Sequence, residues 1–302
     1  MRILVVVNAR SGGGDAGLYG FVRALGTLGV EVTLRFSTAE RSIQSLTEDA
    51  STFDRVVAAG GDGTAGAIAY ALRDSHVPIL VYPAGTANLL ALNLGMPSEP
   101  RTLAEVAVHG RPVSFDLGEI DLAQEGGVVQ QGFSIVAGAG YDAAIMETAG
   151  PLKSTLGAAA YLVAAVTNIA PTTARFELDL DGTRVSTDGI AVLVANFGKL
   201  QFDVAVARGA DPQDGLLDIA VVRSRSVAGL VPAVMANIFD PRADNPTPGI
   251  DVYSAARITL SSYPPLRMQY DGEVADSLTP FAARVLPRAA TFMVPEDSPF
   301  VS

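Results

Sequence analysis

Arg55-Val56-Val57-Ala58-Ala59-Gly60-Gly61-Asp62-Gly63-Thr64 is a short apolar run that ends in a glycine-rich turn and is followed by a helix-like stretch. About twenty residues on, the pattern recurs: Ile79-Leu80-Val81-Tyr82 leads into Pro83-Ala84-Gly85-Thr86-Ala87-Asn88. Strand, glycine turn, helix is the punctuation of a phosphate site. Glycine lets the backbone approach a phosphate, and the free N–H groups at the start of the next helix supply donors and the positive end of a dipole.

Working outward, the first third alternates in the α/β manner. Strands are expected at Ile3–Val7, Val30–Phe36, Arg55–Ala59 and Ile79–Tyr82, with helices at Ala16–Leu28, Ser42–Ala50, Thr64–Arg73 and Thr86–Leu94. Near-continuously apolar strands between helices predict a doubly wound parallel sheet covered on both faces. After Pro112 the texture changes to Val-, Ile- and Phe-rich runs such as Arg175–Leu180, Ile190–Ala195 and Leu216–Val222, which read as antiparallel strands. Asp181-Gly182 is placed as a hairpin turn, and so, read locally, is Asp271-Gly272 after Leu266–Tyr270. The fold class is thus α/β: a nucleotide-binding lobe over residues 1–115 and a β-rich, sandwich-like lobe after it.

Composition narrows the partners. Lys and Arg number 21 against 32 Asp and Glu, and the net charge of -11 opposes general attraction to nucleic acid or to an anionic membrane surface. Cysteine is absent, which excludes disulfides and thiolate chemistry, and the two histidines, His76 and His109, fall in loop-like stretches and are read as surface residues. The apolar run near the N-terminus is too short for a secretory signal, and a cytoplasmic location is expected. The apolar stretches Leu156–Ala170 and Val227–Phe239 are read as core or as the lining of an acyl-chain pocket; the first stops at Pro171, short of a bilayer span.

Gly61-Asp62-Gly63-Thr64-Ala65-Gly66 fits the dinucleotide fingerprint, but no acid occurs between Asp74 and Glu99 to hold a ribose, and that reading is set aside. Asp62 is the sharper signal. A carboxylate beside phosphate-facing amides calls for a cation between them, unless it simply caps the helix at Thr64.

The ordered set Asn8-Ala9-Arg10-Ser11-Gly12, Gly60-Gly61-Asp62-Gly63-Thr64, Pro83 to Asn88, Gly138 to Asp142, Gly157 with Tyr161, Asn196, Asp214 to Asp218 and Asp271-Gly272-Glu273 resembles the diacylglycerol kinase catalytic family, which includes bacterial lipid kinases and sphingosine kinases. The resemblance implies an ATP- and Mg²⁺-dependent kinase acting on a lipid hydroxyl at a membrane surface, from the cytosolic side, with residues 284–302 returning to the first lobe and 116–283 forming the lipid-substrate lobe. It implies that Asn8, Ala9, Arg10, Ser11, Gly12, Thr38, Gly61, Asp62, Gly63, Thr64, Ala65, Gly66, Ala67 and Thr86 line the nucleotide. It further implies that Asp271 is the base and, with Asp62, catalytic. Asp116 would order water around Mg²⁺, and Asp214 with the carbonyls of Leu217 and Ile219 would hold a second, structural Mg²⁺. Gly66-Ala67 and Leu89 depart from the acids common in bacterial members, which leaves the acceptor lipid open. The acidic chain would need hydrophobic contact, a local basic patch or presentation as a homo-oligomer to dock on lipid. The alternatives are a soluble kinase resembling NAD kinases, which share the glycine turn, and a nucleotide- or lipid-binding protein without turnover.

Overall fold

The computed structural model describes residues 1–8, 16–38, 40–85, 87–124, 126–140, 172–198, 210–223 and 249–301. The apolar stretches 156–170 and 227–239 lie outside them. Among the described residues no helix is long and apolar enough to cross a membrane. The chain divides into two compact units, Met1–Leu117 with Leu286–Ser302, and Gly118–Val285.

The first unit alternates strand and helix: β1 (Arg2–Asn8), α1 (Ala16–Thr27), β2 (Glu31–Ser37), α2 (Ile43–Leu46), β3 (Arg55–Gly60), α3 (Asp62–Ala71), β4 (Ile79–Pro83), α4 (Leu89–Asn93), α5 (Pro100–His109) and the first half of β5 (Arg111–Gln124). Its strands pair in parallel in the order β2-β1-β3-β4. Beyond β4 the sheet takes in the last strand of the chain, Phe281–Val294, where Phe292 pairs in parallel with Ile79. The apolar runs are buried on both faces. Ile3, Val5 and Val7 pack with Phe21, Leu25, Leu80, Leu103 and Met293, while Leu4 and Val6, equally buried, face the other way.

Two helices differ from the reading at Ser42–Ala50 and Thr86–Leu94. Ser42 caps α2 as a helix start should, accepting from Ser45 N at 3.2 Å, but the Thr47 hydroxyl donates back to the Ile43 and Gln44 carbonyls and the helix ends at Leu46. Asn88 takes a left-handed conformation, φ 50°, with its side-chain amide bridging both polar groups of Gly85, so the chain stays a turn until Leu89. One helix, α5, was not anticipated. Its start signal is local: the Glu99 carboxylate accepts from Thr102 N at 2.6 Å and Pro100 occupies the first turn. His109, placed in a loop by sequence, ends this helix one turn after Glu105 and is exposed, as a surface histidine should be.

The second unit is antiparallel. It comprises the rest of β5, then β6 (Gly127–Phe133), β7 (Val136–Gly140), β8 (Ala174–Leu180), β9 (Thr183–Gly189), β10 (Ala191–Ala195), β11 (Leu217–Val222), β12 (Ile250–Ala255), β13 (Arg257–Tyr263), β14 (Arg267–Tyr270), β15 (Glu273–Leu278) and the start of β16 (Phe281–Val294). Six strands form one sheet in the order β12-β11-β10-β7-β14-β15, and β13 lies between β8 and β16 in the other layer. Strict alternation along β8 turns Phe176, Leu178 and Leu180 inward to meet Val192, Val194, Ile219 and Met268. The Asp181-Gly182 hairpin forms as expected, both residues at positive φ, with the Asp181 carboxylate receiving Ala256 N and Arg257 N.

The parallel sheet rests on close backbone approach at its glycine turns. A Cβ on Gly85 would collide with the Gly61 Cα, whereas one on Gly26, near the end of α1, would meet nothing. Gly85→Ala is expected to destabilise the protein by about 1–3 kcal/mol, as overpacking does, and Gly26→Ala to stabilise it by about 0.5–1 kcal/mol. Urea unfolding of both variants checks the contrast.

Candidate functional site

In the first unit β1 and β3 are neighbours, but the chain leaves β1 towards β2 on one side and β3 towards β4 on the other. Such a reversal opens a crevice at the carboxyl ends of the strands, where open α/β sheets bind ligands. Asn8, the last residue of β1, crosses it: its Nδ2 donates to the Thr64 Oγ1 at 2.8 Å, and the Ser37 hydroxyl at the end of β2 donates to its Oδ1 at 3.5 Å. Alongside, Ala84 N donates to Gly60 O at 3.0 Å, and the two glycine turns lie back to back.

Asp62 opens α3, yet its side chain does not cap that helix at Thr64. Its Oδ1 accepts from Leu90 N at 2.8 Å, in the first turn of α4. Burial pushes the Asp62 carboxyl up, and the backbone N–H groups around residues 88–90 pull it back down. The charge is thus met by protein donors, and no cation is needed to account for it. The Gly61 N-cap has no side-chain acceptor for the first turn of α3. That turn therefore keeps donors for an anionic ligand in a crevice whose own acid is turned aside. A polyphosphate fits these residues.

Of the other nucleotide-lining candidates, Gly61, Gly63, Thr64, Ala65, Gly66 and Ala67 lie in the N-cap and first turns of α3, and Thr38 is exposed just past β2, its hydroxyl bonded to Glu40 at 2.8 Å. Ala9, Arg10, Ser11, Gly12 and Thr86 lie outside the described residues, as do Tyr141, Asp142, Gly157 and Tyr161. Asp116 is fully buried on β5, where its Oδ1 accepts from Arg288 N at 2.7 Å.

In the second unit Asp271 begins the turn between β14 and β15 at φ 42°, with Gly272 at φ 85°. Its carboxylate is held by four donors from the start of β7: Ser134 N at 2.6 Å and Ser134 Oγ at 2.9 Å on one oxygen, Ile135 N at 2.8 Å and Val136 N at 3.1 Å on the other. Asn196, marked by sequence but given no role, converges on the same segment, its Nδ2 donating to Ser134 O at 3.0 Å. Burial raises the Asp271 carboxyl to about 6, against the lowering pull of those four donors. Glu273, two residues on, is exposed.

Asp214 is exposed in a tight turn, its Oδ1 accepting from Leu216 N at 2.9 Å; Leu217 and Ile219 are buried on β11. Burial, and then the charge of Asp214, raise the neighbouring Asp218 carboxyl, so two acids stand close at this strand start. A hard cation with oxygen ligands suits such a place. Among the described residues there is no cluster of three or more acidic, histidine or cysteine side chains placed for a metal.

The diacylglycerol kinase catalytic domain matches residues 2–120, and the YegS C-terminal NAD kinase beta sandwich-like domain matches residues 135–294. A probable lipid kinase YegS-like protein of Pseudomonas fluorescens is 30% identical over 285 residues, 91% of this chain and 88% of that protein. A diacylglycerol kinase of Mycobacterium tuberculosis is 30% identical over 178 residues, 57% of this chain and 56% of that protein. An uncharacterised Synechocystis protein, 28% identical over 80% of this chain, is likewise spanned over only 55% of its length. The crystal structure of a putative diacylglycerol kinase from Bacillus anthracis superposes with a TM-score of 0.79 over 100% of this chain and 97% of that one; at 21% identity it speaks to the fold alone. With both halves of the chain matched in order, the protein belongs to the family that joins a diacylglycerol kinase catalytic domain to a YegS C-terminal domain.

Proposed function

We propose that the protein is an ATP- and Mg²⁺-dependent lipid kinase that transfers the γ-phosphoryl group to the hydroxyl of a diacylglycerol-like or long-chain-base lipid, working peripherally at a membrane surface. One observation carries the nucleotide half of this reading: the uncapped first turn of α3 beside the crevice, with the Asp62 carboxylate drawn off to α4. Phosphoryl transfer asks for alignment and charge neutralisation more than for covalent chemistry. Backbone donors of Gly61 to Thr64 would orient phosphate oxygens, and Asn8 would hold Thr64 in place across the crevice. Asp214, with the carbonyls of Leu217 and Ile219, would hold a structural Mg²⁺, and Asp116 would order water near a second. Bound there, the metal supplies positive charge against the phosphates. The lipid half of the reading rests on family membership.

Asp271 is the proposed proton acceptor, because a carboxyl near 6 is matched to general base work at neutral pH. Its four donors fill the lone pairs of both oxygens, so one must give way first. Only the Ser134 hydroxyl can do so by rotating about a single side-chain bond. The same saturation favours a second reading, in which Asp271 positions the turn and exposed Glu273 takes the proton.

With radiolabelled ATP and mixed micelles of diacylglycerol or sphingoid base, labelled lipid is expected; labelled NAD in a parallel arm would transfer the protein to the soluble-kinase alternative. Asp62→Asn keeps an acceptor for Leu90 N and is expected to fold; a loss of transfer of about 100-fold or more supports the catalytic role that the family gives Asp62, and full transfer confines the residue to holding α4. Glu273→Gln with full activity keeps the base at Asp271; a loss above 100-fold at unchanged melting temperature moves it to Glu273.

Asp271 also makes a pH prediction. A folded pKa raised above the unfolded value of 3.8 means the protonated form is favoured by folding. This contribution is full below pH 4 and is lost as pH rises through about 6, on the order of 3 kcal/mol. Denaturant titrations from pH 4 to 7 should show that slope in the wild type and not in Asp271→Asn.

A further inference from the structure

β6 (Gly127–Phe133) ends its sheet: among the described residues it pairs with β5 alone. In an antiparallel pair every second residue turns its N–H and C=O away from the partner strand, so the far side of β6 presents a row of backbone donors and acceptors. That side is open. Gly127 to Gln130 are exposed, Val128 to 67% and Val129 to 44%. The pairing with β5 runs from Gly127 opposite Gln124 to Phe133 opposite Gly118 without a register shift, so no bulge twists the edge away.

Proteins protect such edges with charges, proline or bulges. The other strands that end a sheet carry charge: Glu31 and Arg35 on β2, Arg184 and Asp188 on β9, Asp251 on β12, Glu273 and Asp276 on β15. β6, Gly-Val-Val-Gln-Gln-Gly-Phe, has no charged residue and no proline. A two-fold axis sets each residue of a strand near its own kind on the partner. A charged strand then meets like charge, which destabilises a cross-strand pair. Valine against valine buries apolar surface instead, and a glutamine amide is its own complement, donor and acceptor in one group. In a chain of net charge -11, β6 is the described sheet edge at which a second copy meets no like charge.

We propose that β6 is a docking edge for a second copy of this chain, the two β5–β6 hairpins joining antiparallel into one continuous four-stranded sheet. Self-pairing uses up the edge on both copies, so the assembly closes at two. A joint of seven residues a side is small, and the association is reversible. It involves the second unit only and is independent of the kinase reading.

The test is sedimentation equilibrium of the full chain over a concentration series, for wild type, Val129→Lys and Val129→Thr, in low and in high salt. Both substitutions fall at an exposed position, and circular dichroism confirms that both fold. A monomer–dimer equilibrium is expected, tighter in high salt because two copies of charge -11 repel each other. Val129→Lys sets like charges across the axis and is expected to weaken the dimer about tenfold or more. Val129→Thr, β-branched and uncharged, is expected to keep the wild-type constant. The chain has no cysteine, so a single introduced one reports proximity directly. Under mild oxidation at least one of Val128→Cys, Val129→Cys, Gln130→Cys and Gln131→Cys is expected to give a rapid disulfide dimer, and Thr183→Cys on the β9 edge none. A monomer at every concentration, a dimer that Val129→Lys leaves intact, association that runs past two copies, or equal cross-linking from β9 would each overturn the proposal. A monomeric chain whose binding to vesicles of phosphatidylcholine and diacylglycerol falls in Val129→Lys would give the valines to a lipid surface, and would end it too.

Discussion

The first unit depends on one close approach, that of the backbone at Gly61 to the backbone at Gly85. Gly85 has to lack a Cβ for the two turns to lie against each other, and the contact is locked by the Ala84 to Gly60 hydrogen bond and the Asn88 bridge over Gly85. The consequence is electrostatic. The start of α4 is brought within reach of Asp62, whose carboxylate answers the dipole of a helix other than its own. What remains at the start of α3 is a turn without a side-chain cap, its one acid, Asp62, engaged with the start of α4.

The second unit meets its own acid in a similar way. Asp271 sits where a hairpin would accept almost any turn former, yet it is threaded into the backbone N–H groups of Ser134, Ile135 and Val136. Those bonds tie the β14–β15 turn to the entry of β7, and Asn196 at the end of β10 grips the same segment. Full burial keeps the group near 6 despite four donors, since desolvation outweighs them. In both units a motif acid serves the architecture as well as any chemistry, so a substitution there tests two things at once. Asparagine variants and pH series separate them.

Much of the fold is visible in the chain because its signals are local. Apolar runs buried on both faces mark β1, β3 and β4, strict alternation marks β8, and Asp-Gly marks the β8–β9 turn. Structure and sequence pattern part where one local signal outvotes another. Thr47 bonded back and shortened α2, Asn88 went left-handed and delayed α4, and the Glu99-Pro100 start of α5 passed unnoticed. The candidate site divides along the same line. Asn8 and the Gly60–Thr64 turn are readable as residues that a ligand loop requires. The role of Asp62 was not, because its partner Leu90 lies 28 residues away.

The sequence by itself determined that a parallel α/β unit precedes an antiparallel one, where the glycine turns fall, and to which family their order belongs. Period, turn chemistry and motif order are properties of neighbours along the chain. Only the tertiary structure decided which donors each acid receives, that the Tyr82 hydroxyl lies against Gly17, and that Asp271 lies buried among the amides of residues 134–136. Hydrogen bonds and burial depend on separation in space, and the packing that sets those separations joins residues as far as 204 positions apart.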